Sequence, residues 1–207
     1  MTRVKICGMM RPQDVEASSD ADYLGFVVNT GTRRSLTIEK ARELMSTCSV
    51  PRVVVVTDTD AEALSELVSA LEPEVLQISA AVSEGMLKKV KDDTGCELWA
   101  VVHVGNGNEE ARVRMVKDVA DAVVFDTYSP AGGGAGAAHD WSASSRLKTI
   151  TKSRPAILAG GLDSDNVECA IRAVDPFAVD VSSGVEVNGA KDPGRIRDFI
   201  RKVRRCH

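Results

Sequence analysis

Two titratable residues end strand-like runs in this chain: Cys7 follows Val4–Ile6, and Asp126 follows Ala122–Phe125. A thiol in such a place can serve as a base or nucleophile when it ionises. It can equally be a buried small hydrophobe. The start of a helix, marked by Pro12, lies close to Cys7 and would lower its pKa. A carboxyl at an apolar strand end can keep its proton to higher pH and act as a general acid; the plainer role is a cap. Arg33 and Arg34 sit in the run NTGTRRS. One of them could clamp a carboxylate in bidentate fashion, or the pair could simply be a solvated loop. Two further runs, PAILAGG at 155–161 and FAVDVSSG at 177–184, end in small residues and precede helical patterns. Backbone N–H groups can approach a ligand closely there, and the geometry favours a phosphate.

These residues need a frame that brings them together. Strand-like runs are Val4–Cys7, Tyr23–Val28, Arg52–Thr57, Val75–Ile78, Leu98–Val104, Ala122–Phe125, Ala156–Ala159 and Ala178–Val181. Several are continuous apolar runs, as expected of strands covered on both faces. Helical stripes separate them. Leu64, Leu67, Val68 and Leu71 fall at i, i+3, i+4 and i+7, and the spacing recurs at Val167, Ala170, Ile171 and Val174 and at Ile196, Phe199, Ile200 and Val203. Asp192–Pro193 reads as a cap followed by proline at the first helical position. Eight alternating units predict an α/β fold, a single-domain (β/α)8 TIM barrel over residues 1–207. A doubly wound open sheet is the second choice. In a barrel the working residues stand at the C-terminal strand ends, here Cys7, Asn29, Asp58, Ser79, His103, Asp126, Gly160–Gly161 and Asp180. The two glycine turns then belong to the last two units, where a phosphate cup is expected.

Bulk properties narrow the function. The net charge of −4 over 207 residues argues against a nucleic-acid surface. No long apolar run predicts a membrane span, and MTRVKICGMM enters a strand pattern without a signal-peptide layout. Five cysteines without a CxxC suit free thiols in a reducing cytoplasm. The three histidines show no metal-ligand spacing, so no metal is expected. His103 and His139 read as packed or capping residues, and Trp99 and Trp141 as core or rim. The glycine-rich stretch Ala131–Ala138 lacks the GK[ST] of a P-loop and reads as a mobile lid next to Asp126.

The motifs together resemble one family. VKICG at 4–8, YLGFV at 23–27, TRR at 32–34 and LQ at 76–77 come first. FDTYSPAGGGAGAAHDW at 125–141, ILAGGL at 157–162, PFAVDVSSGVE at 176–186 and KDP at 191–193 follow in order. The combination, over nearly the whole chain, resembles phosphoribosylanthranilate isomerases of tryptophan biosynthesis. The resemblance implies a cofactor-free barrel that rearranges N-(5-phosphoribosyl)anthranilate to 1-(2-carboxyphenylamino)-1-deoxyribulose 5-phosphate. By motif, Cys7 matches the general base and Asp126 the general acid. Arg34 matches the contact to the anthranilate carboxylate, and Asp180 a polar residue at the ribose end. Gly160, Gly161, Ser183 and Gly184 match the phosphate site. The expected partner is this small phosphoribosyl substrate, with no nucleic acid or membrane, and the expected state is monomer or homodimer. Departures from the family pattern fall at Ser79 and Ala80, at Ser35, and at Ala135 and His139. A catalytically silent phosphosugar-binding barrel, or another phosphosugar isomerase or epimerase, is the alternative; Cys7, Asp126 and Arg34 speak against both.

Overall fold

The computed structural model describes residues 1–128, 138–152 and 154–206. Eight parallel strands pair in chain order and close into a barrel: β1 (Arg3–Cys7), β2 (Tyr23–Val27), β3 (Arg52–Val56), β4 (Val75–Ile78), β5 (Glu97–Val104), β6 (Ala122–Thr127), β7 (Ala156–Leu158) and β8 (Ala178–Val181). The ring is sealed by β1 against β8, with Lys5 beside Asp180 and Ile6 beside Val181. Each predicted strand is present within two residues. The largest extension is at β6, which runs through Asp126 to Thr127.

Eight helices surround the ring: α1 (Pro12–Ala17), α2 (Ile38–Met45), α3 (Ala61–Leu71), α4 (Glu84–Thr94), α5 (Glu109–Val116), α6 (Trp141–Thr151), α7 (Val167–Val174) and α8 (Pro193–Arg204). The predicted stripes on α3, α7 and α8 are the buried faces. Asp192 caps α8 by accepting from the Arg195 N–H, with Pro193 first in the helix.

Strand alternation sorts side chains into two cores. Val4, Ile6, Val54, Leu76, Val102 and Phe125 face the helices. Tyr23, Val53, Val55, Trp99, Val101 and Val124 fill the lumen. Tyr23 and Trp99 meet edge to face there, with ring centroids 5.0 Å apart. This packed floor leaves the next lumen-facing positions, at the C-terminal mouth, for polar groups.

One element was not expected. After β8 a 3-10 turn, Ser183–Val185, leads into a small hairpin of β9 (Glu186–Val187) and β10 (Ala190–Lys191). Its turn is Asn188–Gly189, both at positive φ (50° and 80°), which suits the twist of a two-residue hairpin. The hairpin aligns Glu186 with Lys191. The lid reading of Ala131–Ala138, with Ala135, lies almost wholly outside the described residues.

Candidate active site

Cys7 ends β1, and its parity sends the thiol into the lumen with Lys5. On the neighbouring strand its register partner is Gly25. A Cβ at Gly25 would stand 2.7 Å from the Cys7 Sγ, so the missing side chain makes room for the thiol. Lys5 is fully buried, its ammonium donates to Asp180 Oδ2 at 2.7 Å, and its charge acts on Cys7, two residues along the same face of β1. Burial pushes the Cys7 thiol above its ordinary range; Lys5 and Lys191 pull it back, while the Asp180 charge adds to the rise. The direction is opposite to the one the helix start suggested. That helix, α1, has only six residues, and desolvation of the thiol outweighs it.

Asp126 lies three strands away around the closed ring, facing the same mouth. Burial and then the Asp180 charge raise its carboxyl to about 6, against the Thr127 backbone and Lys5. It keeps its proton into the range where a general acid works. Beside it in register is His103. His103 Nδ1, Gln77 Oε1 and Asp180 Oδ1 are buried polar atoms without a hydrogen-bond partner among the described residues. All three belong to lumen-facing positions near the mouth. Burial, followed by the Arg112 charge, lowers the His103 pKa, so its ring is neutral at pH 7. His139 is different in kind: its ring bridges Thr127 Oγ1 at 2.9 Å and Ser144 Oγ at 2.6 Å, as a packed residue should.

The two small-residue turns lie against each other. Gly160 has φ +85°, a conformation that side chains rarely adopt, and a Cβ there would meet Thr127 Oγ1 at 2.2 Å. A Cβ at Gly184 would come within 1.9 Å of the Leu162 carbonyl oxygen. The amides of Gly160, Gly161, Ser183 and Gly184 donate to no backbone carbonyl among the described residues. Asn166 locks the first turn by donating to Gly161 O at 2.8 Å and accepting from the Asp163 N–H. Fixed amides of this kind suit an oxyanion.

Arg34 reaches back over the mouth. A Cβ on Gly8, directly after Cys7, would come within 2.5 Å of its Cδ. Its fork grips Glu186 of the hairpin in bidentate fashion, Nε to Oε1 at 2.9 Å and Nη2 to Oε2 at 3.1 Å. Arg33 pairs with the same carboxylate, and Lys191 Nζ donates to it at 3.0 Å. Burial opposes the Glu186 charge, but hydrogen bonds from Arg34 and the Lys191 charge overcome it and hold the carboxyl down at about 2. Lys191 also donates to Ser182 O at 2.9 Å, and Ser182 Oγ donates to Cys7 O at 2.9 Å. The cluster thus runs from the loop after β2, through the hairpin, to the backbone of the thiol-bearing residue.

A family model described as N-(5'phosphoribosyl)anthranilate (PRA) isomerase matches residues 4–202. The chain belongs to this family. An N-(5'-phosphoribosyl)anthranilate isomerase from Methanothrix thermoacetophila is 40% identical, covering 100% of both chains. The enzyme of that name from Pyrococcus abyssi is 34% identical over 97% of each. The solved phosphoribosyl anthranilate isomerase from Thermotoga maritima superposes with a TM-score of 0.88 at 32% identity over 99% of both chains. A further isomerase structure, in complex with reduced 1-(o-carboxyphenylamino)-1-deoxyribulose 5-phosphate, superposes with a TM-score of 0.84 at 30% identity over 99% of both.

Within this isomerase family barrel, the sequence had marked Cys7, Asp126, Asp180 and the glycine turns, and all of them come to one mouth. Arg34 joins them through Glu186. Lys5, Gln77, Glu186 and Lys191 had not been singled out as functional. Parity was the available signal for Lys5 and Gln77, because both fall in step with lumen-facing neighbours. Asn188–Gly189 was the signal for the hairpin that delivers Glu186 and Lys191.

Proposed function

We propose that Cys7 is the general base and Asp126 the general acid of the isomerase reaction. That reaction is the Amadori rearrangement of N-(5-phosphoribosyl)anthranilate to 1-(2-carboxyphenylamino)-1-deoxyribulose 5-phosphate in tryptophan biosynthesis. The observation that carries the assignment is the Asp126 carboxyl held near 6 on the far side of the lumen from Cys7.

Asp126 gives its proton to the ribose ring oxygen as the C1–O bond breaks. The ring opens and the anthranilate nitrogen becomes a Schiff base. The Cys7 thiolate then takes the proton from C2. The electrons of that C–H bond form the C1–C2 double bond, and the resulting enolamine tautomerises to the ketone. One acid and one base on opposite faces of the sugar suffice.

The orphan amides at Gly160, Gly161, Ser183 and Gly184 hold the phosphate. Asp180 presents Oδ1, which Lys5 does not use, to the ribose hydroxyls. Arg34 offers Nη1, which Glu186 does not engage, to the anthranilate carboxylate. The working unit is one barrel domain, as monomer or homodimer in the cytoplasm. The Thermotoga maritima enzyme is described as dimeric, and no helix among the described residues is long and apolar enough to cross a membrane.

The test is complementation of a tryptophan auxotroph lacking this step, together with turnover of freshly generated substrate by purified protein. Wild type should rescue growth, whereas Cys7→Ala and Asp126→Asn should not. Rescue by either variant removes its residue from the assigned role. Failure of well-expressed wild type overturns the reading of the whole site.

A further inference from the structure

Lys5 is an unusual residue to find at the centre of a barrel. It is fully buried, between the apolar Val4 and Ile6, and its ammonium donates to Asp180 at the mouth. Replacing a buried ion pair by apolar residues of similar volume is often neutral or stabilising. The β1–β8 seam does not need this pair either, because backbone register already runs from Arg3–Ala178 to Ile6–Val181. The ammonium does, however, stand between the groups that the proposed mechanism uses. It holds Asp180 Oδ2 at 2.7 Å, and it shares the lumen face of β1 with Cys7, two residues on. Asp180 in turn acts on the Asp126 carboxyl through space.

We propose that Lys5 is a positioning residue for the isomerase reaction: its ammonium stabilises the Cys7 thiolate and anchors Asp180, so that one buried cation sets the ionisation of both base and acid. The proposal rests on Cys7 and Asp126 being that base and acid.

The working pair is the thiolate of Cys7 with the protonated carboxyl of Asp126. Burial raises both groups, so this is the minority arrangement of the protons. Its population falls about tenfold for each pH unit that separates the two titrations. A cation beside the thiol narrows that gap. Other charged groups act on the thiol as well, Asp180 from β8 and Lys191 from β10, and Arg34 passes close to Gly8, the next residue in the chain. Lys191 and Arg34 share Glu186 as a counter-ion. Lys5 has only Asp180, whose second oxygen is unpartnered among the described residues.

The charges give a fingerprint that a purely structural lysine would not. Lys5 favours the charged form of Cys7 and of Asp126, whereas Asp180 disfavours both. Lys5→Met should therefore move both limbs of the kcat/KM profile to higher pH, the thiol limb further, and lower the plateau about tenfold or more. Asp180→Asn should move both limbs to lower pH. Lys5→Met/Asp180→Asn removes the two opposing charges together and should bring the limbs back towards wild type. Ionisations of the substrate are common to all variants and cancel in the comparison.

Site-resolved alkylation of Cys7 by iodoacetamide across pH, read by peptide mass spectrometry, gives the thiol titration without substrate. It should rise in Lys5→Met. If Lys5→Met alone does not fold, Asp180→Asn against the double variant isolates the lysine, and adding Lys5→Met must move the limbs up. Limbs and alkylation profile unmoved by loss of Lys5, with Cys7→Ala inactive, overturn the role of Lys5 and leave the base intact. An active Cys7→Ala overturns the base itself.

Discussion

Asp126→Asn should make the protein more stable at neutral pH while abolishing turnover. The Asp126 carboxyl is raised from 3.8 to about 6 in the folded barrel. Below pH 4 it is protonated whether the chain is folded or not, and the site costs nothing extra. Between about pH 4 and pH 6 the unfolded chain releases the proton while the folded chain keeps it, so stability falls as pH rises. A displacement of that size corresponds to about 3 kcal/mol once the pH is above both values. Asparagine has the same shape and never ionises. The stability of Asp126→Asn minus that of wild type should therefore grow by about 2.4 kcal/mol from pH 4 to pH 7. Urea unfolding followed by circular dichroism at half-unit pH steps measures this difference, and groups that do not sense Asp126 cancel in it. A difference that stays flat across the range would refute the reasoning, because the carboxyl would then titrate alike in both states. A difference that shrinks with pH would mean that the folded barrel favours the carboxylate.

Four further outcomes follow from particular contacts. Gly25→Ala puts a methyl 2.7 Å from the Cys7 Sγ; it should lower kcat by about a hundredfold while circular dichroism stays native, since small misplacements of a reacting group cost this much. Gly184→Ala forces a methyl to 1.9 Å from the Leu162 carbonyl oxygen, so KM should rise and stability should fall by about 1–3 kcal/mol in urea titrations. His103→Leu removes a buried nitrogen that lacks a partner among the described residues; its melting temperature should rise, while a higher KM would identify the ring as a substrate contact. Glu186→Gln leaves the buried Lys191 without its carboxylate and should destabilise by about 3–5 kcal/mol at pH 7. Because Glu186 is held down at about 2, that penalty should lessen as pH falls from about 4.5 towards 2.

Much of this barrel was legible because each element repeats a simple pattern. Continuous runs such as Val53–Val56 are covered on both faces, and stripes such as Leu64–Leu71 have one face to bury. Cys7, Asp126 and the glycine turns stood out because strand ends are where such a fold puts its chemistry. What stayed hidden depends on pairs distant in sequence. A lysine in a strand reads as exposed until its carboxylate is known, and Asp180 is 175 residues from Lys5. Arg34 looked like a loop residue because its partner Glu186 is 152 positions away. The ionisation of Cys7 was misjudged for a related reason. A nearby proline suggested a helix field, whereas the governing quantity was the burial that the closed ring imposes.

The cluster around Glu186 also fixes when in the life of the chain the site can exist. Cys7 is synthesised well before the segments that surround it. Asp180, Ser182, Glu186 and Lys191 reach it across the β1–β8 seam and from the hairpin beyond. Until those late segments dock, the nascent chain carries a thiol with neither its ammonium's anchor nor its cover. Closure is a long-range pairing and is intrinsically slow. The reactive residue therefore stays open to oxidants and alkylating agents until the β1–β8 seam closes, and that step both arms the catalyst and shields it.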